Sequence, residues 1–179
     1  MINENFIRTE NTMDDVLRYD LREGLPEQTR SDQDYPWIVF DLDGTEYGIN
    51  SKYVLSIEIL GEVTPIVDSQ PHCPGITQSR GDMIELLDLR ALFSLGDYIS
   101  AKPDSDDTRY MMVVVETDEK KHGVIVDEIV SVEYITQFIE GIVDESNRSV
   151  STHYVSQIAK REKLGSPVLI IKPESISML

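Results

Sequence analysis

The sequence predicts a mainly β protein assembled from small barrels, and three observations carry that prediction. From Tyr35 onward, short apolar runs of strand length succeed one another between turn-forming residues. No more than two segments read as helices. A strand–turn–strand unit recurs 75 residues further along the chain. A parallel α/β sheet needs a crossover, usually helical, between neighbouring strands, and the chain supplies too few of them. Many short strands with few helices fit small closed sheets instead.

Residues 1–35 differ from the rest, with nine acids and four bases, a net of −5. Thr12 can cap a helix from Met13 to Glu23, with Met13, Val16, Leu17 and Leu21 near helical spacing, ended by Gly24 and Pro26. This segment reads either as a flexible acidic leader or as a helix packing on the main domain or a partner. Next, Ile38, Phe40 and Leu42 alternate with Val39, Asp41 and Asp43, and Glu46 to Ile49 follows Asp43-Gly44. Asp-Gly between two such runs signals a hairpin, because both turn residues take positive φ. Val54 to Ile59, Val63 to Val67, Gly75 to Gln78 and Met83 to Leu87 are further apolar runs. Asp88 caps a short helix, Leu89 to Phe93, ending near Gly96. Asp97 to Thr108 is polar loop. Strand-like runs resume at Tyr110 to Glu116, Gly123 to Val126, Ile129 to Tyr134, Val155 to Lys160 and Val168 to Ile171.

The internal repeat decides how VFDLDGT, Val39 to Thr45, is read. This stretch matches the first motif of haloacid dehalogenase-like phosphatases, where Asp41 would be the nucleophile and Asp43 the general acid/base. At an offset of 75 residues, Val39, Asp43, Gly48, Ser56 and Glu58 meet Val114, Asp118, Gly123, Ser131 and Glu133. Ile38, Ile49, Val54, Leu55 and Ile57 meet Val113, Val124, Ile129, Val130 and Val132. The second copy of the motif reads Glu116-Thr117-Asp118-Glu119, which keeps the turn and loses the nucleophile pattern. Such a phosphatase also needs a later lysine and an acidic pair that holds Mg²⁺, and the candidates, Lys102 with Asp104, Asp106 and Asp107, lie inside the polar loop. Hairpin chemistry is the better account of Asp41 and Asp43.

The chain of 179 residues, 40% hydrophobic, suits one sizeable domain or two very small ones. Its 33 acids and 16 bases give a net charge of −17, which repels nucleic acid and anionic lipid and favours a basic partner or simple solubility. A lone cysteine, Cys73, allows no internal disulfide and points to a reducing compartment. No run reaches membrane-span length and the N-terminus lacks a signal-peptide core, so a soluble cytoplasmic protein is expected, with no membrane insertion. His72, His122 and His153 lie far apart and no metal-ligand spacing occurs, so no metal or cofactor is expected. Cys73 beside His72 reads as a loop residue before Pro74. Ser79, Ser94 and Ser100 lack a nucleophile elbow, and no phosphate-binding glycine loop occurs. Arg80, before Gly81 at a strand-to-strand turn, stands out. A guanidinium held there presents a planar fork of donors to a carboxylate or carbonyl, although a solvated turn arginine would look the same.

WIVFDLDGTEYGI, V-x-x-I-E, VTPI, PGITQSRGDMIELLDLR and HGVIVDEIVSV, in that order from Tyr35 to the C-terminus, resemble the CheW-like chemotaxis coupling proteins. The resemblance implies two tandem five-stranded SH3-like barrels with a shared core, in a CheW-like domain over residues 36–179. Their approximate extents would be 36–96 and 109–171, with strand exchange between them left open. It implies no enzymatic activity. It implies an adaptor that joins the regulatory domain of the histidine kinase CheA to the cytoplasmic hairpin tips of chemoreceptors, peripheral to the membrane at receptor arrays. A CheW-like module of a different two-component pathway is the alternative.

Residue by residue, Arg80 and Gly81 match the family's Asn-x-Arg-Gly motif, while Gln78 and Ser79 replace its asparagine and apolar residue. Glu85 stands where a proline is usual. Ser56 stands where V-x-E-I has glutamate, with Glu58 two places later, just past Ile57. Val54 and Ile57 are expected to form an exposed apolar patch for the kinase. Arg80, Gly81 and Glu58 are expected to face receptor or kinase.

Overall fold

Two strand-length runs and the Asp-Gly turn between them fold the chain into its first hairpin, β1 (Trp37–Leu42) and β2 (Thr45–Asn50). Asp43 and Gly44 take φ of 57° and 75°, the left-handed pair that matches the twist of the flanking strands. The structure, a computed structural model, describes residues 31–100, 109–118, 120–139, 151–161 and 166–177. The helix expected at Met13 to Glu23 lies outside them, as does the loop from 101 to 108. After β2 come β3 (Val54–Ile59), β4 (Thr64–Pro65), β5 (Gly75–Ser79) and β6 (Asp82–Asp88). Helix α1 (Leu89–Leu92) starts where the Asp88 carboxylate accepts from the backbone N–H groups of Arg90 and Ala91. The second hairpin is β7 (Met111–Thr117) and β8 (Lys120–Val126), followed by β9 (Glu128–Glu133) and β10 (Phe138–Ile139). Helix α2 (Ser151–Tyr154), β11 (Val155–Lys160), β12 (Pro167–Ile171) and helix α3 (Pro173–Ser177) complete the described chain. No sequence signal announces β10, α2 or α3.

The strands form two sheets, ordered β9-β1-β2-β12-β11-β10 and β3-β7-β8-β6-β5-β4. These are the same arrangement twice. Val39 pairs with Gly48 as Val114 pairs with Gly123, so both hairpins share one register. Each is flanked by a strand from the other half of the chain. Glu58 lies opposite Met112, and Glu133 opposite Trp37, the same pairing 75 residues apart. Even the bulge recurs, at Val54/Ser56 in β3 and at Ile129/Ser131 in β9. On the other flank each hairpin meets a parallel strand, Leu86 beside Gly123 and Ile170 beside Gly48. The two echoed glycines are therefore places of close approach. A methyl group at Gly48 would lie 3.0 Å from Ile170 Cδ1, and one at Gly123 2.6 Å from Met112 Sδ.

This topology explains the unbroken apolar runs. In β1, Trp37 and Val39 pack with Ile135, Val168 and Ile170 inside their own sheet. Ile38, Phe40 and Leu42 face the opposite way into a core shared with Val54, Ile57, Val113 and Val115 of the other sheet. In β7, Met112 and Val114 pack with Ile84 and Leu86, while Val113 and Val115 face the shared core. A strand buried on both faces carries no polar alternation.

Candidate partner-binding surface

Arg80 and Gly81 are the two-residue turn between β5 and β6, where Ser79 pairs with Asp82. Their φ values are 48° and 96°. A side chain in the left-handed region costs about 1–2 kcal/mol, which glycine avoids and asparagine reduces. Turn formation alone therefore does not account for an arginine. Its guanidinium is positioned by Glu58 from β3, whose Oε1 lies 3.5 Å from Arg80 Nε. The same oxygen accepts hydrogen bonds from Ser56 Oγ at 2.6 Å and Ser79 Oγ at 2.8 Å. The departures at Ser56, Glu58 and Ser79 thus form one cluster. With serine at position 56, the carboxylate enters from position 58, and a hydroxyl at 79, where the family is apolar, orients it. Gln78 is exposed on the same hairpin, opposite Met83.

The structure corrects one expectation. Val54 and Ile57 are 0% and 3% exposed, within the shared core, because the bulge in β3 turns both side chains inward. Neither forms an exposed patch. An exposed apolar stretch lies instead around Val132, the repeat counterpart of Ile57, whereas Ile129, the counterpart of Val54, is buried like Val54 itself. On the edge strand β9, Val130 and Val132 are exposed, followed by Tyr134 at 67%. The repeat in the sequence could have found this patch, since Leu55, Ile57 and Ile59 map onto Val130, Val132 and Tyr134.

The phosphatase-like aspartates serve the hairpin. Asp41 Oδ1 accepts from the N–H of Gly44 at 2.9 Å across the turn. Asp43 Oδ1 accepts from Arg90 Nη1 at 3.0 Å. Arg90 is buried and also binds Asp127, which accepts from the N–H of Asp43 at 2.9 Å. This triad ties α1, the first turn and the β8–β9 junction together, a role the sequence did not reveal. β1 runs antiparallel to both neighbours, so the parallel strand with its crossover helix that such a phosphatase needs is not formed around Asp41. Among the described residues no group of three or more His, Cys, Asp or Glu side chains could hold a metal ion. Cys73 is buried, and its thiol is pushed up to about 11 by that burial, with Glu85 adding to the shift. No helix among the described residues is long and apolar enough to cross a membrane.

The sequence profile of the CheW-like domain matches residues 36–178. The chain belongs to the CheW-like family. The chemotaxis protein CheW of Klebsiella aerogenes is 25% identical over 135 residues, which cover 75% of this chain and 76% of that protein. The CheW of Bacillus subtilis is 33% identical over 91 residues, 51% of this chain and 54% of that protein. Among solved structures, the scaffolding protein CheW from Thermoanaerobacter tengcongensis superposes with a TM-score of 0.63 at 26% identity, over 78% of this chain and 84% of that one. The two sheets are the tandem SH3-like barrels of the CheW-like fold, and the protein is a scaffold or adaptor of chemotaxis.

Proposed function

We propose that this CheW-like chain couples the regulatory domain of the histidine kinase CheA to chemoreceptor hairpin tips, in the cytoplasm at receptor arrays. The observation that carries the reading is the Arg80 turn, a half-exposed guanidinium aimed by an ordered carboxylate within a CheW-like fold. Arg80, Gly81 and Glu58 face the partner. Val54 and Ile57 act from beneath, by fixing the β3 backbone that carries Glu58. Residues 36–179 act as one docking unit, preceded by the acidic leader. Contacts of this kind are individually weak and gain strength by repetition in an array. Signal passes when a receptor state favours contacts compatible with one kinase state.

The test is co-purification of the full chain with CheA and a receptor cytoplasmic fragment from the same organism. Arg80→Ala is expected to fold normally and to capture less of either protein. Unchanged capture would remove Arg80 from the interface. The cluster of departures at Ser56, Glu58 and Ser79 favours a second reading, a CheW-like module of another two-component pathway. A different histidine kinase in the co-purified material would select it.

A further inference from the structure

The internal repeat places a second arginine clamp beside the first for comparison. Glu58 and Glu133 are equivalent, and each accepts from the serine two residues before it, Ser131 Oγ at 2.5 Å in the second copy. Thr77 pairs with Ile84 as Ala159 pairs with Val168, so Ser79 and Arg161 hold matching positions two residues further along. Arg161 sits between two carboxylates. Its Nη1 donates to Glu133 at 3.3 Å and its Nη2 to Glu46 on β2. The Arg161 side chain is 2% exposed.

In the first copy the clamp is half made. Arg80 Nε faces Glu58, but the position equivalent to Glu46 is Lys121 on β8, which pairs with Asp82 at 2.7 Å. The Arg80 side chain is accordingly 49% exposed, and its two Nη groups have no partner among the described residues. Met83 and Ile59, close by on β6 and β3, are exposed apolar side chains that can shield a contact from water.

We infer that Arg80 is the open half of a two-carboxylate clamp, and that the docked partner supplies the second carboxylate from an aspartate or glutamate side chain. This rests on the adaptor reading and names the chemistry of its contact. Nε stays on Glu58, while Nη1 and Nη2 take the incoming carboxylate side by side, as a planar fork does.

The experiment titrates the wild-type chain, Arg80→Gln, Arg80→Glu and Lys121→Glu against the CheA regulatory domain and a receptor-tip fragment from the same organism. Each Asp and Glu of the partner that binds is then changed in turn to Arg. Arg80→Gln is expected to bind about 10-fold weaker and Arg80→Glu about 100-fold weaker, and one partner Asp or Glu→Arg change is expected to restore Arg80→Glu. Lys121→Glu, which completes the clamp from within, is expected to weaken binding about as much as Arg80→Gln while the protein stays folded. If wild type binds and the Arg80 or Lys121 variants bind equally well, or no reversal restores Arg80→Glu, the carboxylate clamp is wrong and the adaptor reading stands. If wild type binds neither protein, the adaptor reading fails and the clamp falls with it.

Discussion

Arg161 and Arg80 occupy related places in the two repeats, and their burial predicts opposite consequences of losing them. Arg161→Met removes a buried cation from between Glu46 and Glu133 while keeping much of its apolar bulk. Breaking a buried ion pair by removing one partner costs about 3–5 kcal/mol, because a charge is left stranded. Two features reduce the figure here. The Glu46 and Glu133 side chains are 20% and 31% exposed, so water recovers part of the loss. Arg161 Nε has no hydrogen-bond partner among the described residues, and methionine removes that unmet donor. The expected loss is about 2–3 kcal/mol, or about 4–12 °C in Tm for a chain of this size. Arg80→Met, at a half-exposed site with one carboxylate nearby, should lose less than about 0.5 kcal/mol. Urea unfolding followed by circular dichroism measures both, and Glu133→Gln in the Arg161→Met background should recover part of the loss. Equal losses at the two arginines, or an unchanged Arg161→Met, would refute the division between a structural clamp and a docking clamp.

Other consequences are open to direct measurement. A methyl group at Gly123 meets Met112 Sδ at 2.6 Å and Leu86 Cδ2 at 2.9 Å in a filled core, so Gly123→Ala should cost about 1–3 kcal/mol by overpacking. Gly48→Ala, with nearest approaches of 3.0 Å, should cost less, and a reversed order in urea unfolding would contradict the packing account. Burial holds His122 below its ordinary pKa, against Glu85 and with help from Lys120. The folded state keeps the ring neutral, so stability is full above about pH 6.5 and falls as pH drops toward the lower folded value. His122→Phe should flatten that fall, and an unaltered pH profile would show that another group causes it. With its thiol near 11, Cys73 should resist an aromatic disulfide reagent at pH 8 until urea is added, and rapid labelling of the folded protein would overturn this.

What the sequence showed and what it hid follow from the range of the forces involved. The first hairpin was legible because Asp43-Gly44 needs positive φ at two adjacent positions, a local demand met by local residue types. Asp88 as a helix cap was legible for the same reason. The burial of Ile57 was not, because it depends on a bulge and on β7, more than fifty residues away in the chain. Nothing local in the sequence distinguishes Arg90 or Arg161 from an ordinary surface charge. Their partners, Asp127 for one and Glu46 for the other, come together only in the fold. The repeat was the signal with the most unused content. It was read for its turn, yet its five identities each mark a place in the three-dimensional structure. Val39 and Val114 lie in the two barrel cores, and Asp43 and Asp118 turn the hairpins. Gly48 and Gly123 admit the neighbouring strand, and each Ser-x-Glu pair aims a carboxylate.

The exchange of hairpins bears on how the two barrels behave together. β1 and β2 lie at the centre of a sheet whose remaining strands, β9 to β12, come from the second half of the chain. β7 and β8 do the same for β3 to β6. Neither half of the chain holds a complete sheet, and Ile38 and Phe40 share one core with Val113 and Val115. Opening either barrel therefore strips flanking strands from the other, and one cooperative transition is expected. Trp37 is the single tryptophan and packs in the core of the sheet containing β1, so its fluorescence reports that barrel. Far-ultraviolet circular dichroism reports both. The two urea midpoints should coincide, and a ligand that binds at the Arg80 turn on the other barrel should move them together by mass action. If the tryptophan midpoint separates from the dichroism midpoint, or only one of them shifts on binding, the exchanged hairpins do not couple the barrels and a contact at Arg80 stays local.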